Sequence, residues 1–163
     1  MRALRSSILA STLLVLAAIG CDRGSHPHEI GQPAPDFTIS DKANSIHLGA
    51  YRGQVVLVNF WWSHCPPCIV ELPSMEQFHH AHPEYPILGM NIDEEEGDYR
   101  QFVLNRHVDF LTVWDPKQTA ATKFQVTGWP ETFIVDRNGL IQRRFIGATD
   151  WNDPQILHYL QTL

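Results

Sequence analysis

The run Q-V-V-L-V-N-F-W-W-S-H-C-P-P-C-I-V-E-L-P, Gln54 to Pro73, constrains the fold more than any other stretch of the chain. Val55 to Phe60 form a continuous apolar, β-branched segment of the kind that lies at the centre of a sheet covered on both faces. The pattern changes at the cysteines. From Pro66 onward Ile69, Leu72 and Met75 recur three apart, with Phe78 on the same face, until His82-Pro83 stops the helix. Pro73 inside that helix predicts a kink. A strand running into C-x-x-C and then a helix places Cys65 at the helix N-cap and Cys68 one turn in.

That placement suits thiol-disulfide exchange. Free N–H groups and the positive end of the helix dipole stabilise a thiolate, which is the attacking species. Cys65 is expected to be the exposed nucleophile, and Cys68, on the buried side, to resolve the mixed disulfide. A zinc site would need a second pair of ligands at motif spacing. The only other cysteine is Cys21, and His79, His80 and His82 are irregularly spaced. A purely structural disulfide across so short a loop would constrain the unfolded chain little. With 44% hydrophobic and 18% charged residues among 163, one domain can bury a core without cross-links.

The net charge of -6, with no basic cluster beyond the extreme N-terminus, argues against nucleic acid as a partner. Arg2 and Arg5 precede an apolar run from Ile8 to Ile19, followed by Gly20 and Cys21. This reads as a signal peptide over residues 1–20, since roughly 12 apolar residues fall short of the ~20 that span a bilayer as a helix. L-A-A-I-G-C resembles a bacterial lipobox, which would make Cys21 a lipidation site, and Asp22 resembles an inner-membrane retention signal. Residues 21–30 then form a lipidated cysteine and polar tether, and residues 31–163 the domain.

Downstream, Pro86–Ile92 reads as a strand, Tyr99–His107 as a helix, Phe110–Trp114 as a strand and Gln118–Phe124 as a helix. Thr132–Val135 and Leu140–Ile146 read as a hairpin around D-R-N-G, and a last helix opens at Pro154, capped by Asn152 or Asp153. Phe37–Ile39 and Ile46–Leu48 could pair before the main strand. The sum is β-α-β followed by an antiparallel β-β-α, an α/β arrangement. Asp93 to Asp98, D-E-E-E-G-D, reads most simply as a solvated loop, with partner steering as the minor alternative.

Four segments together, G-Q-P-A-P-D-F, Y-R-G-Q-V-V-L-V-N-F-W, C-P-P-C-I-V-E-L-P and G-W-P-E-T-F-I-V-D-R-N-G-L-I, resemble the TlpA/ResA/CcmG (DsbE) group of membrane-anchored thiol-disulfide oxidoreductases, within the AhpC/TSA-Redoxin superfamily. The resemblance implies a thioredoxin-like fold: a central mixed sheet flanked by helices, with an N-terminal β-hairpin extension and a central insert. It also implies that Pro130 is the cis-proline facing the cysteines, and that the backbone around Trp129 pairs with an extended segment of the partner. Glu71 matches the glutamate that follows the motif in these proteins, and Glu131 in P-E-T-F is a CcmG-like variant that points to cytochrome c maturation. His64 replaces their usual Trp, and Trp62 and Ser63 stand in a normally small-residue approach. His64, Trp62, Trp129 and Glu131 are therefore the candidate docking residues.

Direction follows from the prolines. If Cys65 is the N-cap, Pro66 and Pro67 occupy the first two helical positions and have no N–H to offer its sulfur. A less stabilised thiolate means a more reducing couple. Glu71, three residues after Cys68, disfavours a second negative charge nearby and could relay protons. Asn59 stands where thioredoxins carry a buried Asp, which would leave Glu71 as the only acid in the site. The expectation is an enzyme without cofactor or metal: a reductase of disulfides in exported proteins on the periplasmic side of the inner membrane. Apocytochrome c is the leading substrate class, and a membrane thiol-electron carrier of the DsbD/CcdA type would return it to the reduced form. A general oxidant or isomerase and a Cu(I) metallochaperone using the thiol pair are the alternatives.

Overall fold

A computed structural model of the chain describes residues 30–163; the signal segment and Cys21 lie outside them. Two short strands, β1 (Thr38–Ser40) and β2 (Ser45–His47), pair antiparallel as a separate hairpin. A 3-10 turn at Leu48–Tyr51 leads into β3 (Val56–Trp61) and then α1 (Pro66–Ala81). They are followed by β4 (Ile87–Asn91), α2 (Glu96–Arg106), β5 (Leu111–Trp114) and α3 (Thr119–Lys123), and then by β6 (Glu131–Val135), β7 (Ile141–Ile146) and α4 (Pro154–Gln161). The sheet order is β5-β4-β3-β6-β7, with β3, β4 and β5 parallel and β6 and β7 antiparallel. The unit β3-α1-β4 and the unit β6-β7-α4 are separated by α2, β5 and α3.

Every residue of β3 is buried, as its unbroken apolar run requires of a central strand covered on both faces. Alternation along the strand then sorts side chains to two cores. Val56, Val58 and Phe60 join Phe37, Phe124 and Phe133 on the face covered by the hairpin and α3. Leu57 joins Met75 and Phe78 of α1 and Trp151, Ile156 and Leu160 near and within α4. A third, smaller cluster at the end of β3 holds Trp61, Tyr99, Cys65 and Cys68.

One sequence expectation shifts. The helix α2 begins at Glu96, three residues before Tyr99, because Glu96 and Asp98 favour the positive end of the helix and Glu96 bonds Arg100 one turn on. The hairpin forms around D-R-N-G as read, with Gly139 at φ 76. Asp136 holds the turn, its Oδ1 accepting the N–H groups of Asn138 and Leu140 at 2.9 Å each. Helix α1 is continuous through Pro73.

Candidate active site

The local sequence builds the site from the end of β3. The buried strand delivers the chain to Trp62, and Cys65, extended at φ -90 and ψ 106, is the N-cap of α1 with Pro66 at the first helical position. Cys65 and Cys68 form a disulfide with Cα atoms 5.2 Å apart. The Cys65 sulfur receives the N–H of Cys68 at 3.2 Å, and the two intervening prolines have no N–H to add. One expectation changes here: Cys65 is buried, 3% exposed, because Trp62 and Trp129 pack against the cluster that contains both cysteines.

Glu71 lies one turn beyond Cys68 on the buried side of α1 and is 4% exposed, so it is no solvated helix charge. Its Oε1 accepts from the Trp151 indole N–H at 2.9 Å and from the Thr149 N–H at 3.2 Å. Its Oε2 accepts from the Asn59 amide at 3.4 Å, and the same Asn59 nitrogen donates to Thr132 Oγ1 at 2.9 Å. Burial pushes the Glu71 carboxyl up from 4.5 to about 7, and these three neutral donors only partly oppose it. Asn59 thus takes the buried position in β3 and turns it into a hydrogen-bond support for the acid on the helix.

The Trp129-Pro130 peptide bond is cis. Pro130 is buried, and Trp129, half-buried, packs against the cysteine cluster. Glu131 corrects its expected role. Its side chain is fully buried and has no surface to offer a partner. It forms an ion pair with Arg144, and its Oε2 accepts the Thr127 N–H at 3.0 Å. Arg144 in turn donates to Thr127 Oγ1 at 2.9 Å. Glu131 and Arg144 therefore fasten the loop that leads to Trp129 and Pro130.

On the other side, Trp62 is half-buried and His64 exposed, with their rings 5.9 Å apart. His64 Nδ1 lies 2.9 Å from Ser63 Oγ. Ser63 is tied to Asp93, whose Oδ1 accepts its N–H at 2.9 Å and its hydroxyl at 3.1 Å. Asp93 is 4% exposed and also accepts from the Asn91 amide, so it is a buried brace and not part of a solvated loop. Glu71 is accordingly not the only buried acid near the motif. Nothing in the sequence marked Asp93, Thr149 or Trp151 for these positions; Trp151 lies 80 residues from the carboxylate it serves. Trp61 is core, 5% exposed against Tyr99 and Phe102.

The possible metal ligands that converge among the described residues are Glu76, His80 and Asp109, whose ligand atoms lie within 4.8 Å of one another. They sit in the second half of α1 and just before β5, and two of the three are exposed. No helix among the described residues is long and apolar enough to cross a membrane.

Comparison with known proteins agrees with this geometry. The AhpC/TSA family matches residues 30–144. The thiol-disulfide oxidoreductase ResA of Geobacillus kaustophilus is 30% identical over 159 residues, covering 92% of this chain and 90% of that protein. The thiol:disulfide interchange protein DsbE of Pseudomonas aeruginosa is 28% identical, with coverage of 82% and 77%. The crystal structure of a candidate DsbE from Chlorobium tepidum superposes with a TM-score of 0.75 at 27% identity, covering 82% of this chain and 96% of that one. With the disulfide at a strand-to-helix junction, a buried acid one turn further along the helix and a cis peptide bond after Trp129, the chain belongs to the AhpC/TSA family as a thioredoxin-like thiol-disulfide oxidoreductase related to ResA and DsbE.

Proposed function

We propose that this oxidoreductase works as a reductase of disulfides in exported proteins, with apocytochrome c as its leading substrate class. The observation that carries the reading is the donor-poor surrounding of Cys65: its sulfur accepts from the Cys68 N–H, and the two amides that would otherwise precede it are prolines. Fewer donors to the thiolate make the dithiol form less stable and the couple more reducing.

In the reduced protein, the Cys65 thiolate attacks one sulfur of the substrate disulfide; the new S–S bond forms as the old one breaks, and the first substrate sulfur leaves as a thiolate. Cys68 gives its proton to the Glu71 carboxylate and attacks Cys65, re-forming the intramolecular disulfide and releasing the second substrate sulfur. Two electrons pass from the cysteine pair to the substrate. A carboxyl with a pKa of about 7 suits that transfer, since both protonation states are populated near neutrality. Trp62 and Trp129 pack against the cluster of the attacking cysteine pair, and the backbone before Pro130 offers groups for an extended partner segment. A signal peptide, lipidation at Cys21 and residence on the periplasmic side of the inner membrane complete this reading. A DsbD/CcdA-type carrier would return the electrons.

The deciding experiment is the reduction potential of the Cys65–Cys68 pair in a glutathione or dithiothreitol series. A value at or below roughly -200 mV is expected, and one near about -120 mV ends the reductase reading.

A further inference from the structure

The loop between β4 and α2, with the first turn of α2, carries more negative charge than its structural duties use. Of its acids, Asp93 is consumed in bracing Ser63, and Glu96 pairs with Lys42 at 2.6 Å and with Arg100 at 2.8 Å. Glu94, Glu95 and Asp98 are exposed and form no ion pair among the described residues. Glu95 is the N-cap of α2, yet its side chain makes no capping bond. These three carboxylates line one cavity of about 370 Å³ together with Trp62, Trp129 and His64. The two tryptophans also pack against the cluster that holds Cys65 and Cys68, so the cavity lies next to the redox pair.

Its rim is held in place. Asp93 fastens the acidic loop to Ser63 through two hydrogen bonds, and the Trp114 indole N–H bonds the Asp93 carbonyl at 2.7 Å. Carboxylates kept together and unneutralised beside aromatic faces suit a cation, which gains from both the charges and the ring quadrupoles. We infer that this groove binds a lysine or arginine side chain close in sequence to the cysteine under attack, so that the protein selects disulfides in basic segments. The inference rests on the proposed reductase role for its direction of electron flow, but the binding preference does not require it.

Two peptides with the same internal disulfide, one flanked by lysines and the other by glutamates, test the point with the reduced protein at low salt. The lysine peptide is expected to react at least about tenfold faster, with the advantage shrinking at 0.5 M salt over a Debye length of about 4 Å. The triple variant Glu94→Gln, Glu95→Gln, Asp98→Asn should lose the preference and keep the wild-type reduction potential. Equal rates in the wild type, or a preference retained by the triple variant, overturn the inference. A second arm separates it from the reductase reading. Cysteine-free versions of both peptides are titrated into the oxidised protein and followed by tryptophan fluorescence, which involves no electron transfer. Tighter binding of the lysine peptide, lost in the variant, supports the groove even if the potential proves oxidising. Equal binding sinks it even if the protein is a reductase.

Discussion

Glu71 and Glu131 are both buried glutamates, and their surroundings give them opposite uses. Glu131 sits at the start of β6 against Arg144 and is held by an ion pair and the Thr127 N–H. Glu71 sits in α1 among neutral donors alone, Trp151, Thr149 and Asn59. The ion pair ties Glu131 to the neighbouring strand, whereas neutral dipoles offset the burial of the Glu71 carboxyl only in part and leave its proton exchangeable near neutral pH. The first arrangement suits a strut and the second a proton carrier. Burial alone does not distinguish them.

The largest expected effect comes from removing the exchangeable proton. Glu71→Gln keeps the size and polarity of the side chain but cannot accept the Cys68 proton. Release of substrate from the mixed disulfide should slow by about 10²- to 10⁴-fold, the usual range for a general acid–base group. Stopped-flow thiol release measures it; a rate within a factor of about three of wild type would place the proton transfer elsewhere.

Arg144→Ala attacks the other glutamate. It leaves the Glu131 carboxylate buried without its cation, a change that typically costs about 3–5 kcal/mol of folding stability. It also loosens the loop before Trp129, since Arg144 donates to Thr127 Oγ1. Urea unfolding should show the loss, and substrate KM should rise while the reduction potential stays at the wild-type value. A shifted potential with unchanged stability would mean that Glu131 acts on the cysteines and that the contrast drawn here is false.

The two glutamates also differ in how far the sequence disclosed them. Glu71 was legible because its spacing from Cys68 puts it on the helix that the motif itself defines. Glu131 was placed at the surface because alternation along a strand does not say which face is covered, and Arg144 lies on the neighbouring strand, paired only by the register of β6 with β7. The strand–cysteine–helix core, the hairpin and the five strands of a mixed sheet follow from local pattern plus resemblance, whereas their order comes from the structure. Long-range partners such as Trp151 on Glu71 and Asp93 on Ser63 carry no local signal, and Cys65's burial depends on two tryptophans from different loops.

A pH titration of stability sharpens the same contrast at a smaller scale. For Glu71 the folded pKa of about 7 lies above the ordinary 4.5, so the native state binds this proton more tightly than the unfolded chain does. Its contribution is fully present below pH 4.5 and is lost as pH rises through 7. The swing is on the order of 3 kcal/mol. Urea midpoints of the oxidised protein between pH 4 and 8.5 should therefore fall more steeply in wild type than in Glu71→Gln. Parallel curves would show that the carboxyl titrates where an exposed glutamate does.

Trp151→Phe is the finest probe, because it removes one neutral donor and leaves both the acid and its burial in place. The Trp151 indole donates to Glu71 Oε1 at 2.9 Å, and that bond favours the charged carboxylate. Losing it costs about 1 kcal/mol of selective stabilisation of the anion, which corresponds to a rise of somewhat less than one unit in the Glu71 pKa. The rate of mixed-disulfide resolution, which needs the carboxylate, should keep its plateau at high pH while the rising limb of its pH profile moves up by that amount. A lowered plateau with an unmoved limb would mean that Trp151 serves only as packing for Phe78 and Phe145, its ring neighbours at 6.3 and 5.3 Å. An upward shift with the plateau intact would show that a residue near α4 sets the protonation of an acid on α1, which is how neutral donors tune a proton carrier without fixing its charge.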